Sequence, residues 1–195
     1  MLVAMPAEPA YVPPMWPELM TAEQLLDVNI PGKQVELVRG RLVVKEPPGY
    51  LHATVVARLA AELVNYARAQ NLGQVVAGDP GFTLSRGPDT VRAPDVAFVQ
   101  RARVPDPVPT AFAEFSPDLA VEVLSSRDRP GETLAKIGDW LDAGTRVVWV
   151  IDPARRQARV YRQDGSESVL SDTDALRGED VLPGFSCAIA AILGS

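Results

Sequence analysis

Histidine and cysteine are almost missing from this chain. Its 195 residues include one of each, His52 and Cys187. A lone cysteine excludes a disulfide framework and a cysteine-based zinc site. A lone histidine excludes a multi-histidine metal centre. No apolar run approaches the roughly 20 residues needed to cross a bilayer, and no signal peptide is evident, so a cytoplasmic protein that meets no membrane is expected. Positive charge is also short: the net charge is −6 and the pI about 4.9. That balance argues against binding nucleic acid by bulk charge. It leaves room for an enzyme that meets a phosphate backbone through a metal and a local basic patch. Aromatic residues, 6% of the chain, offer few platforms for base stacking.

What is present is an ordinary globular composition, 47% hydrophobic and 23% charged, in a length that suits one domain with a sizeable core. Residues Met1 to Pro17 hold five prolines and no periodicity. They read as a flexible arm over residues 1–19, followed by a single domain over 20–195. Thr21 and Gln24 form a capping box at the start of a short helix. "QVELVRGRLVVKE" alternates around Gly40 as a β-hairpin. "LHATVVARLAAELVNYARAQ" places Val55, Leu59, Leu63 and Tyr66 on one helical face. Strands follow at "QVVAG", "GFTL" and "DVAFV", then a rigid loop at "VPDPVPT" and a strand at "DLAVEVL". A second helix runs from Pro130 to Ala143 and stops at Gly144, with Leu134, Ile137 and Leu141 as its expected buried stripe. "RVVWVID" reads as a central strand, "QARVYR" as its antiparallel neighbour, and "AIAAIL" as a small closing helix. The pattern is mixed α/β: one sheet with two main helices packed on it.

Two carboxylates stand where apolar strands should bury their faces. Asp95 opens "DVAFV" and Glu122 lies inside "DLAVEVL". A buried unpaired carboxylate costs several kcal/mol and needs a partner or a task. Alternation puts Glu122 on a face with Ala120 and Leu124, and Asp95 on a face with Ala97 and Val99. If the two strands are antiparallel neighbours, the acids meet at one edge. Two carboxylates share a site well with a proton or a divalent cation between them, and all-oxygen ligation suits Mg²⁺ or Mn²⁺. The plain alternatives are a turn role for Asp95 after Pro94 and a solvent-facing or arginine-paired Glu122. Lys136, in the second turn of the following helix, would reach the acids if that helix packs back on the sheet; otherwise it forms an exposed pair with Glu132.

The succession "PDVAFV", "SPDLAVEVLSSRDR", "K…W…AG" and "VVWVIDP" resembles the Uma-two family of restriction endonucleases, within the PD-(D/E)xK nuclease superfamily. The likeness extends upstream to "VELVRGRLVV" and the His52 helix, and downstream to "VLPGF". It implies a restriction-endonuclease-like mixed β-sheet core flanked by helices. It also implies that Asp95 and Glu122 are metal ligands and that Lys136 is the catalytic lysine. The position two residues after Glu122 is Leu124, so the short-spaced form of the motif is broken; the likeness is to superfamily members whose lysine lies on the following helix, and Lys136 matches that position. Glu36 matches an acidic position of the family and could hold a second metal or a water; the alternative is an ordinary strand residue. His52 also matches a family position, with phosphate binding or a local hydrogen bond as its readings. Arg127 and Arg129 are candidate phosphate contacts. Asp128 is expected to cap the second helix, and Asp79 to be a turn residue. Trp140 is read as core or dimer packing ahead of base stacking.

The expected activity is Mg²⁺- or Mn²⁺-dependent hydrolysis of DNA phosphodiester bonds by a homodimer. A basic surface would draw on Arg39, Arg41, Lys45, Arg92, Arg127 and Arg129. A nuclease fold without activity, serving as an interaction protein, is the alternative that Leu124 keeps open. A hydrolase of small phosphoesters is the third. Whether Asp95, Glu122 and Lys136 converge discriminates between the first two.

Overall fold

The computed structural model describes residues 18–194. All but the last two residues of the expected proline-rich arm lie outside the described residues. The chain enters the fold at Met20, which is buried and whose N–H bonds the carbonyl of Gly40 at 2.7 Å. The expected capping box is formed by Thr21 and Gln24 at helix α1 (Ala22–Leu26). The hairpin of β1 (Gln34–Val38) and β2 (Arg41–Lys45) turns through Arg39 and Gly40. Both have positive φ, +49° and +76°, as the common two-residue hairpin turn requires.

Helix α2 (Tyr50–Ala69) buries Val55, Leu59, Leu63 and Ala67. Tyr66 is half-buried beside them and donates its hydroxyl to the Pro183 carbonyl. Strands β3 (Gly73–Ala77), β4 (Phe82–Ser85), β5 (Thr90–Arg92) and β6 (Val96–Gln100) follow. Then come β7 (Leu119–Val123), α3 (Pro130–Asp142), β8 (Val147–Asp152), β9 (Gln157–Arg162) and β10 (Glu167–Ser171). The ribbon β11 (Ala175–Arg177) and β12 (Ser186–Ala188), with helix α4 (Ile189–Leu193), closes the described chain. No helix among the described residues is long and apolar enough to cross a membrane.

The expectation of one sheet is corrected. A six-stranded sheet in the order β10-β9-β8-β7-β6-β3 carries the core, and a separate four-stranded sheet runs β2-β1-β5-β4. The hairpin and "GFTL" belong to the second sheet because the short strand β5 recruits both. In the main sheet β7 and β8 are parallel and the other neighbours antiparallel. The parallel step needs a crossover, and α3 supplies it. The two faces of β6, β7 and β8 are covered differently. Val96, Phe98, Val121, Val123 and Trp149 pack with α2 and α4. Ala97, Val99, Ala120, Val148 and Val150 pack with Ile137, Trp140 and Phe82. Central strands buried on both sides explain the near-continuous apolar runs.

The expected stripe of α3 is also corrected. Leu134 is 58% exposed and Leu141 only partly buried, while Lys136, Ile137 and Trp140 face inward. The helix is turned so that its polar tips, the Lys136 ammonium and the Trp140 N–H, meet Glu122. Pro130 opens the helix at a position where a missing N–H costs nothing. Arg129, which makes no side-chain capping bond, is its N-cap, so Asp128 does not cap it. Asp128 instead accepts from the Ser125 N–H at 2.6 Å and closes the preceding loop.

Candidate active site

Strands β6 and β7 are antiparallel neighbours, with Val96 opposite Val121. Extending that register by one residue puts Asp95 opposite Glu122. The Asp95 N–H continues the ladder to the Val121 carbonyl at 3.0 Å. Its carboxylate accepts from the Val123 N–H (2.6 Å) and faces His52 Nε2 (3.1 Å). His52, at the start of α2, thus looks into the cluster and is not tied up locally as the plainer reading had it. Its Nδ1 is buried and has no partner among the described residues.

Glu122 is buried. Its Oε2 accepts from Lys136 Nζ at 2.7 Å and its Oε1 from the Trp140 indole N–H at 2.9 Å. The exposed Glu132–Lys136 pair does not form; Glu132 meets Arg129 instead, at 3.4 Å. Trp140 is fully buried, edge-on to Phe82, which removes it from base stacking. Lys136 Nζ also donates to the Ala93 carbonyl (2.7 Å) and pairs with Glu36 Oε1 (2.9 Å). Glu36, on β1, further accepts from Arg92 Nη1 (2.8 Å) and the Ala93 N–H (3.2 Å), with Lys45 Nζ at 3.2 Å. Arg92 grips Asp139 of α3 through Nε and Nη2, at 2.8 and 2.6 Å.

Asp95, Glu122, Lys136, Glu36 and His52 therefore come together at one end of the interior strands β6 and β7, beside the second sheet. Arg127 and Arg129 remain exposed on the loop before α3, outside this network. Arg92 leaves the expected basic surface, being buried, and Lys45 is partly committed to Glu36. Arg39, Arg41, Arg127 and Arg129 remain exposed. Arg92 as a buried clamp and Asp139 as its partner were missed. The available signal was an arginine beside Val91 in an apolar run, which needs a carboxylate if buried. Asp79 has positive φ, as a turn residue does, and takes a hydrogen bond from Gln34. It also lies in the field of Asp95.

The charges are unevenly balanced. Burial pushes the Glu122 carboxyl up and Lys136 pulls it down. Asp95 and Glu36 push it up again, to about 7. For Glu36 burial is outweighed by Lys136, Lys45 and Arg92, which hold it at about 2. Burial works against the Lys136 ammonium, yet Glu122 and Glu36 raise it above its ordinary value. His52 is raised too: its burial is overcome by the bond to Asp95 and that carboxylate's charge.

No group of three or more His, Cys, Asp or Glu side chains among the described residues is arranged to hold a metal ion. Mg²⁺, however, commonly uses one or two carboxylates and keeps several waters. Asp95 and Glu122 supply two adjoining carboxylates, and Glu122 is short of positive charge. The donor set therefore fits such an ion.

The guanidinium clamp gives a stability prediction. Arg92→Lys leaves one point charge where a planar fork spans Glu36 and Asp139, and should cost about 2 kcal/mol. Urea denaturation checks this; a change within 0.5 kcal/mol, the spread usual for neutral surface substitutions, would show that the fork is dispensable.

A mixed sheet with helices on both faces, two acids on adjacent strands and a helix-borne lysine between them is the framework of a nuclease-like α/β protein. The chain belongs to the Uma2 family, described as "Putative restriction endonuclease", which it matches over residues 21–190. Its fold is similar to the crystal structure of "a putative nuclease belonging to DUF820" from Anabaena variabilis. The TM-score is 0.79 at 18% identity, over 89% of this chain and 97% of that one. Among curated proteins no sequence matches significantly.

Proposed function

We propose that this protein is a divalent-metal-dependent endonuclease that hydrolyses DNA phosphodiester bonds, with Asp95 and Glu122 holding Mg²⁺ or Mn²⁺ and Lys136 as the catalytic lysine. The observation that carries this reading is the convergence of those three side chains from the residue before β6, from β7 and from α3, with Lys136 Nζ 2.7 Å from Glu122. It is also the feature that separates this reading from a nuclease fold that only binds partners. A cation held there supplies an acidified water and a polarised phosphate. The chain's own contribution is geometric. Adjacent strands fix the two carboxylates, and the Val123 N–H and His52 orient Asp95. The Lys136 ammonium offsets negative charge developing on the phosphate. Arg127 and Arg129, exposed beside the start of α3, suit contacts with the DNA backbone. A homodimer belongs to the same reading, since a two-fold protein matches a two-fold DNA site; light scattering measures it.

The test is calorimetric titration of Mn²⁺ and Mg²⁺ into the wild type and into the Asp95→Ala/Glu122→Ala double variant, beside a plasmid-nicking assay. Binding and nicking in the wild type, both lost in the double variant, are expected. Metal binding that survives the double substitution, or none in the wild type, would move the assignment to an interaction protein.

A further inference from the structure

We infer that Glu36 is a positioning residue that fixes the Lys136 ammonium over Glu122, and not a metal ligand. The inference rests on the nuclease reading above and assigns the one acid of the cluster that comes from the second sheet. An ionised carboxylate offers about four lone-pair sites. Glu36 accepts hydrogen bonds from the Ala93 N–H at Oε1 and Arg92 at Oε2, and is ion-paired with Lys136 at Oε1 and Lys45 at Oε2. Three of the four are cations, so a divalent ion would displace a bond and enter a field already positive. Asp95 and Glu122 differ. Each meets two donors, His52 and the Val123 N–H in one case, Lys136 and Trp140 in the other. Each carboxylate oxygen keeps a lone pair.

The hold on Lys136 is complete. Its Nζ donates to Glu122 and to the Ala93 carbonyl, both at 2.7 Å, and is ion-paired with Glu36 at 2.9 Å. Ala93 lies two residues before Asp95, so the ammonium is tied to both acid-bearing segments. A lysine on a helix reaches the site on a flexible stem that carries about 2 kcal/mol of rotamer entropy. A lysine at position 124 would borrow the rigidity of β7. Leu124 stands there, and Glu36 provides the constraint from across the site. Arg92 reinforces it by binding Glu36 and also Asp139, one turn beyond Lys136 on α3.

Glu36→Gln tests this with three readouts. Mn²⁺ affinity by calorimetry should stay within about twofold. The kcat for cleaving a DNA duplex should fall by about 10²-fold with KM unchanged, the pattern of a group that acts on the transition state only. In the metal-free protein, reductive methylation of Lys136, read by mass spectrometry against Lys33, should accelerate several-fold. A tenfold loss of Mn²⁺ affinity would make Glu36 a ligand and overturn the inference; unchanged Lys136 methylation would overturn it too. If the wild type neither binds metal nor cleaves DNA, the nuclease reading fails, and the methylation rates still decide whether Glu36 holds Lys136. Should circular dichroism show Glu36→Gln unfolded, Glu36→Asp serves for the same readouts. It keeps the negative charge and draws the carboxylate back by one methylene.

Discussion

Lys136→Met should abolish detectable DNA cleavage, a fall of about 10³-fold, and at the same time cost about 3 kcal/mol of stability. The two effects share one cause. Lys136 is the cation nearest Glu122 and sits between it and Glu36. Methionine fills the same volume, so the loss is of charge and not of packing. Glu36 keeps Arg92 and Lys45, whereas among the described residues Glu122 keeps only the Trp140 N–H. Denaturant unfolding at pH 8 reads the stability, and a plasmid assay in Mg²⁺ reads the activity. The destabilisation should shrink at pH 5, where Glu122 can take a proton instead. A variant that cleaves within tenfold of the wild type would remove Lys136 from the chemistry. One that unfolds like the wild type at pH 8 would show that the ammonium does not compensate the acids.

The metal-free protein should lose stability as the pH rises from 5 to 8. Glu122 has a folded-state value pushed up to about 7 from an ordinary 4.5. Between those values the folded state binds more protons than the unfolded one, so the slope of stability against pH is negative. The contribution is whole below pH 4.5 and is lost by about pH 7, on the order of 3 kcal/mol in all. His52, also raised, adds a loss in the same direction above pH 6.5. Glu36 acts oppositely: held at about 2, it stabilises above pH 4.5 and its contribution is lost as the pH falls toward 2. Urea titrations of the wild type and of Glu122→Met at several pH values isolate the Glu122 contribution. The wild type should be steeper by about 3 kcal/mol over pH 5 to 7; equal slopes would mean that Glu122 is ionised and well compensated. Mg²⁺ bound at the acids should recover the loss in the wild type at pH 8 and leave Glu122→Met unchanged, because a ligand of the folded state alone adds its binding free energy to stability.

A carboxylate in an otherwise apolar strand is costly to bury unpaired, and this is what sets Asp95 and Glu122 apart in the sequence. Apolar alternation marks the strands, and a charge on a buried face breaks it. The same alternation assigns Asp95 and Glu122 to one face each, and antiparallel pairing then brings them level. Helix α2 was legible from its spacing, the hairpin from Gly40, the end of α3 from Gly144. The second sheet was not, because β5 is only three residues long and lies behind Gly87 and Pro88, too short for a period to register. The orientation of α3 was misjudged because Leu134, Ile137 and Leu141 form as good an apolar stripe as the face that is buried. Polar satisfaction of Glu122 by Lys136 and Trp140 decides between the two faces, and hydrophobicity alone does not see it.

Spacings of a few residues were enough to show most of the longer helices and strands, the two misplaced acids and the family whose motifs carry them. The tertiary structure alone decided what those acids meet. Glu36 and Arg92 are 56 residues apart, Arg92 and Asp139 47, and Glu122 and Trp140 18. Such pairs form only when two sheets and a crossover helix close on one another. Their strength depends on the burial that this closure creates, because charges left in water at the same separations would interact weakly.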